Sequence, residues 1–373
     1  MRDKRRARKA KQARRDVRRA ARRVRKNAAE PTLMDILRRA VAREHPLHLL
    51  SIASLFINVG KPDPHGRERY LDDVLTSWIG ARDPAVTAVL AVLAELLVDE
   101  PAAQLRCREE VAARNHVLPQ WITDLPEAEA YRAVRRRHVL ADADELVLGV
   151  RLGRHELTVA VFIDHLGCSS IADGGAVPKP IDDVLARVAE SSTDTEVVEM
   201  SLADARAWIE DAFTKPVFAP ETDCWPLYRA LVQWLVARLP EGGECRPGVD
   251  WDAIEELCDT FFATRSAEPF TERSHRELLL GLLETGSGDP LRWSAARVHQ
   301  AIGGAYYDDG NIPLAVTLDA PDLLRAFIPY AHAQSGIRDE LTARTLAAID
   351  DLRLSYKEEV LEEAAHWGYL DVG

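Results

Sequence analysis

The chain has 373 residues, 47% hydrophobic and 29% charged, with 60 acidic against 48 basic residues and a formal net charge of −12. That composition sustains a buried core and excludes a chain disordered throughout, and the length suits two or three modest domains. The charge is unevenly divided: residues 1–26 hold fifteen Lys and Arg against Asp3 and Asp16, a local +13, which leaves −25 for the rest.

Residues 1–30 read as a basic arm. No Gly or Pro falls between positions 2 and 29, and Ala10, Ala13, Val17, Ala20 and Val24 repeat at helical spacing. Like-charged pairs such as Arg14/Arg18, Arg15/Arg19 and Arg19/Arg23 oppose that helix. The expectation is a flexible arm that becomes helical once a polyanion neutralises it. Arg5, Arg6, Arg8, Arg14, Arg15, Arg18, Arg19, Arg22, Arg23 and Arg25 are then interchangeable phosphate contacts. With no Phe, Tyr or Trp in residues 1–28, nothing stacks on a base, so DNA or RNA would be bound without sequence specificity. Two other readings stay open: the arm docks on its own acidic body or on a partner, or it is a solvated tail, including one that precedes the true start codon.

Residues 31–139 read as an all-α region. Thr32 and Asp35 start a helix whose apolar face is Leu33, Ile36, Leu37, Ala40 and Val41. Further helices are expected over 46–58, 68–79, 84–98 and 101–114, with a short one near 126–136. The longest apolar runs, Pro46–Val59 and Pro84–Val98, fall short of the roughly 18–20 residues that span a bilayer, so no membrane span is expected. The charged stretch upstream of Pro46, with Asp35, Arg38, Arg39 and Glu44, argues against a secretory signal.

Residues 140–215 read as a small α+β unit. Leu146, Leu148, Val150 and Leu152 alternate on one strand, and Leu157, Val159, Val161 and Ile163 on the next, with Gly153-Arg154 as a tight turn between them. A helix over 180–190, a strand over Glu196–Met200 and a helix capped by Ser201 follow. Residues 216–373 return to helices, expected over 224–239, 250–265, 272–285, 290–302, 320–334, 338–352 and 355–366. The expected architecture is therefore α+β and predominantly α-helical, with helical bundle-like regions flanking a small three-stranded sheet and its covering helices.

The sequence holds no specific catalytic signature, and the protein reads as a binder in preference to an enzyme. Asp164, His165 and Cys168, at the end of the second strand, are a possible strand-end site, since a Cys near His and Asp can be an activated nucleophile. Adjacent strand residues point to opposite faces, however, so Asp164 and His165 should diverge. The segment Ser169–Gly175 reads as a polar binding loop. An enzyme using that loop is the rival reading, and it requires a concave pocket there.

His45, His48, Asp63 and His65 could be imagined as a metal cluster, but Pro46 interrupts the helix between the first two, and no metal or cofactor is expected. Asp308-Asp-Gly-Asn311 lacks the bidentate acid of a calcium loop and reads as a turn. Trp225, Tyr228, Leu231, Val232, Trp234 and Leu235 have the spacing of core packing. The acidic faces Asp252/Glu255/Glu256/Asp259 and Glu358/Glu359/Glu362/Glu363 offer a docking surface to the arm or to a basic protein partner. Five scattered cysteines without a Cys-x-x-Cys fit reduced thiols in a cytoplasmic chain.

Three segments resemble a recurring type of uncharacterised soluble bacterial protein: Phe162-Ile-Asp-His165, Asp289-Pro-Leu-Arg-Trp-Ser294 and Pro321-Asp-Leu-Leu-Arg-Ala-Phe327. The resemblance spans about residues 145–350, leaves out the arm and implies no activity. Leu166-Gly-Cys-Ser-Ser170 departs from the longer Gly-containing stretch of that type. The function expected from the sequence is non-specific polyanion binding through the arm, to nucleic acid or ribonucleoprotein, with a protein–protein adaptor as the first alternative.

Overall fold

The computed structural model describes residues 32–43, 45–60, 70–189, 194–218, 222–304 and 312–366. The arm, Asp63, His65 and the Asp308–Asn311 turn lie outside the described residues.

Among the described residues five helices come first: α1 (Leu33–Val41), α2 (Leu47–Gly60), α3 (Tyr70–Gly80), α4 (Pro84–Leu96) and α5 (Pro101–Ala112). Thr32 and Asp35 close a capping box, the Thr32 hydroxyl accepting from the Asp35 amide and the Asp35 carboxylate from the Thr32 amide, both at 3.2 Å. Asp83 caps α4, with Pro84 preset for the first turn. Helix α4 is apolar all round, so it must be enclosed, and α1, α2 and α5 pack about it. A short helix α6 (Gln120–Thr123) leads to the sheet.

The sheet has five antiparallel strands in the order β4-β3-β2-β1-β5: β1 (Glu129–His138), β2 (Ala143–Leu152), β3 (His155–Asp164), β4 (Ser170–Val177) and β5 (Thr195–Met200). This corrects the three-stranded sheet expected from the sequence. Residues near 126–136 form β1, not a helix, and the segment after Ser169 forms β4, not a loop. The run Arg132–Arg137 is built of helix formers, but as a strand its cations alternate between faces that hold acids. Arg132 meets Asp182 and Glu199, Arg136 meets Glu145, and on the other face Arg135 meets Asp144. Partners on β2 and β5 thus override local propensity.

The β2–β3 hairpin is as expected, with Leu152 paired to His155 and Gly153 at φ +53. Helix α7 (Ile181–Ala189) covers one face of the sheet, where Val134, Val147 and Ile181 form a small cluster. The leucine face belongs to the main N-terminal core, shared with α2, α4, α8 (Leu202–Thr214) and α9 (Trp225–Val236).

A second apolar cluster is built from α10 (Trp251–Phe262), α11 (Arg273–Leu283), α12 (Ala295–Ile302), the short α13 (Leu314–Thr317), α14 (Ala320–Ser335) and α15 (Asp339–His366). The two helices expected over 338–352 and 355–366 are one helix of 28 residues. Ser355 donates its hydroxyl to the Leu352 carbonyl inside it, and Tyr356 anchors the following turn on the Thr317 carbonyl at 3.1 Å.

Candidate functional site

A cavity of ≈ 670 Å³ opens where the end of the sheet meets the C-terminal helices. Its walls are the ends of β1 and β2, the β3–β4 turn, the C-terminal part of α8, the segment Arg246–Ile254 and the loop Glu284–Pro290.

The apolar stripes of two paired strands each end here in a polar residue. On β2 the inward positions Leu152, Val150, Leu148 and Leu146 are followed by Asp144; on β3, Leu157, Val159, Val161 and Ile163 are followed by His165. Strand periodicity carries both side chains to the same buried face, where His165 is 2% and Asp144 4% exposed. His165 Nε2 lies 2.9 Å from Asp144 Oδ2, and His165 Nδ1 lies 3.0 Å from Ser169 Oγ. Arg135 neutralises Asp144 from 3.3 Å and stacks on Trp208. Burial is the first cause that pulls the His165 pKa below its ordinary value, with Arg246 acting in the same direction and Asp144 against them. A neutral ring with its proton on Nε2 donates to Asp144 and accepts from the Ser169 hydroxyl.

Cys168 and Ser169 both adopt left-handed backbone, at φ +62 and +58. Two consecutive non-glycine residues there cost roughly 1–2 kcal/mol each, and such strain persists only where neighbours over-determine it. The neighbours are His165 and Arg246: Arg246 donates from Nη1 to Ser169 Oγ at 2.9 Å and from Nη2 to the Ser287 carbonyl at 2.7 Å. Burial lowers the Arg246 pKa as well.

The opposite wall rests on Arg297. Its guanidinium is fully buried over Trp293, donates to the carbonyls of Leu283, Asp289 and Arg292, and packs against Gly286, whose φ is +70.

Of the residues singled out in the sequence, His165 and Cys168 line this cavity and Asp164 does not. Asp164 points elsewhere and accepts from the Leu166 amide at 2.9 Å. The arm arginines lie outside the described residues. His45 stacks edge-on with His155, and His48 lies beside Arg43. No group of three or more His, Cys, Asp or Glu able to hold a metal occurs among the described residues.

Asp144 and Arg246 were not singled out, and Ser169 was named only as the first residue of the expected binding loop. Asp144 was open to detection, because it continues the β2 leucine stripe. Arg246 carries no local signal, since 77 residues separate it from Ser169.

No family model, curated protein or solved structure matches the chain.

Proposed function

We propose that the protein is a hydrolase acting by acyl transfer to Ser169. The observation that carries this reading is the relay Ser169–His165–Asp144, at 3.0 and 2.9 Å, at the wall of a cavity large enough for a small molecule. The ring nitrogens are used in the reverse of the familiar serine-protease order, but either imidazole nitrogen can serve as base. As Ser169 Oγ bonds to a carbonyl carbon, its proton passes to His165 Nδ1, and Asp144 stabilises the imidazolium. The bond from that carbon to the leaving oxygen or nitrogen then breaks, and the leaving group takes the proton from His165. Water adds to the acyl-enzyme by the same route, giving up a proton to His165 that returns to Ser169 as the acid departs.

A fluorophosphonate probe tests this. Wild type should gain one phosphonyl group, mapped to Ser169, with loss of fluoride. Ser169→Ala should gain none, and His165→Asn should react ~10²-fold or more slowly. An unlabelled wild type, or a Ser169→Ala variant labelled as fast, would overturn the reading.

A separate reading concerns the arm, and its support is the division of charge into +13 and −25. We propose that the arm binds DNA, RNA or ribonucleoprotein through phosphate contacts alone, with docking on a protein partner or on the chain's own acidic faces as the competing uses. A cytoplasmic setting fits five cysteines that are all free. No helix among the described residues is long and apolar enough to cross a membrane.

A further inference from the structure

We propose that Arg246 is the anion-recognition group of the cavity, and that the compound acylating Ser169 carries a carboxylate a few bonds from its reacting carbonyl. The inference rests on the hydrolase reading for the word acyl, but not for the anion site itself.

Three other cations line the same walls, and each has its acid: Arg135 with Asp144 at 3.3 Å, Arg137 with Asp289 at 3.1 Å, Lys215 with Asp211 at 2.8 Å. Arg246 has none. Its contacts are all neutral: the Ser169 hydroxyl at 2.9 Å, His165 Nδ1 at 3.2 Å and the Ser287 carbonyl at 2.7 Å. Among the described residues no carboxylate oxygen lies within 4.0 Å of it, and Asp144 and Asp289 act on it only from farther away. A half-buried guanidinium that faces a cavity without a counter-ion is costly, and a bound anion removes that cost.

Charge and geometry narrow the anion. Asp250 and Glu284 line the same cavity with exposed side chains, so a second negative charge on the ligand would be repelled; this favours a monoanion over a phosphate dianion. The planar fork of a guanidinium matches a carboxylate through two parallel N–H···O bonds. Because Arg246 Nη1 lies 2.9 Å from Ser169 Oγ, the bound carboxylate must sit close to the carbon under attack. Half-esters and half-amides of short dicarboxylic acids, and N-acyl amino acids, have that form.

The test uses trifluoroacetate, a fluorinated monocarboxylate, observed by ¹⁹F line broadening on the full chain. Wild type should broaden it saturably. Arg246→Gln should bind it at least tenfold more weakly, while keeping all fifteen arm cations and so the same background. Neutral trifluoroethanol should not broaden at this site, and acetate should displace the probe at least tenfold better than inorganic phosphate at pH 8. If Arg246→Gln is folded by circular dichroism and binds as wild type does, or if trifluoroethanol competes equally, the proposal fails. If Arg246→Gln does not fold, Arg246→Lys and the acetate-against-phosphate comparison in wild type decide, and equal displacement by phosphate overturns it. Trifluoroacetate binding without fluorophosphonate labelling would remove the hydrolase reading and leave the anion site. Labelling without trifluoroacetate binding would do the reverse.

Discussion

Two buried imidazoles show what the interior does to a titratable residue. His165 is stabilised by Asp144 and Ser169; His332 lies 3.1 Å from the Trp293 amide and 2.9 Å from the Thr342 hydroxyl, with no acid in contact. Burial is the first cause of lowering in both, and His332 is pushed down to about 4. The unfolded chain takes up a proton near pH 6.5, whereas folded His332 refuses it until about pH 4. Stability from this residue is therefore fully present above pH 6.5, falls as pH drops through that window and levels off below it. The loss amounts to about 3 kcal/mol. Urea unfolding at pH 7, 5.5 and 4.5 should show wild type losing more than His332→Gln, which is less stable at pH 7 but lacks this slope. Parallel pH dependences would exclude His332 as a source. The same direction holds for the proposed base, so labelling of Ser169 should be lost in acid at a pH below the ordinary imidazole range.

At the scale of elements, β4 is the strand least visible in the sequence, and Gly174 accounts for its packing. A Cβ at Gly174 would lie 2.5 Å from Trp225 Cζ3, so the glycine lets α9 close onto the sheet edge. At Gly175 no atom lies within 4 Å of the corresponding position. Gly174→Val should therefore cost on the order of 1–3 kcal/mol through overpacking, and Gly175→Ala should stay near wild type; equal effects in urea unfolding would refute the packing argument. The contrast between β4 and the hairpin explains what was legible. The alternation of Leu146 to Leu152 and Leu157 to Ile163 is stated locally, as are the Thr32, Asp83 and Ser201 caps, and those elements stand where their residues put them. Strands β1 and β4 depend on distant partners, the acids of β2 and β5 for the arginines of one and Trp225 for the glycines of the other. The candidate site divides in the same way. His165 was identified as a strand-end residue and Asp144 was readable as a polar end to a leucine stripe, whereas Arg246 reaches Ser169 only through the folded chain.

On the scale of the whole molecule, two apolar cores meet across a polar cavity, and the acidic faces of α10 and α15 lie on the outside, with Asp252, Glu255, Glu256 and Glu358 exposed. On the proposed reading of the arm, an added nucleic acid and the body's own acids would compete for it. Arg276 already pairs with Asp259 at 2.7 Å and Glu255 at 3.6 Å, which weakens the α10 face as a docking surface for a basic segment. If the arm makes roughly 6–10 phosphate contacts, affinity for non-specific RNA or DNA should fall about 10³–10⁵-fold between 50 and 200 mM salt. Removing residues 1–28 should abolish that binding while leaving fluorophosphonate labelling and trifluoroacetate binding unchanged, because among the described residues the cavity walls begin at Arg135. A truncated protein that still binds nucleic acid equally well would show that the arm is not the binding element. Docking in cis predicts a different pattern: no nucleic-acid binding by the full chain at 50 mM salt, and salt-sensitive capture of a 1–28 peptide by the truncated body.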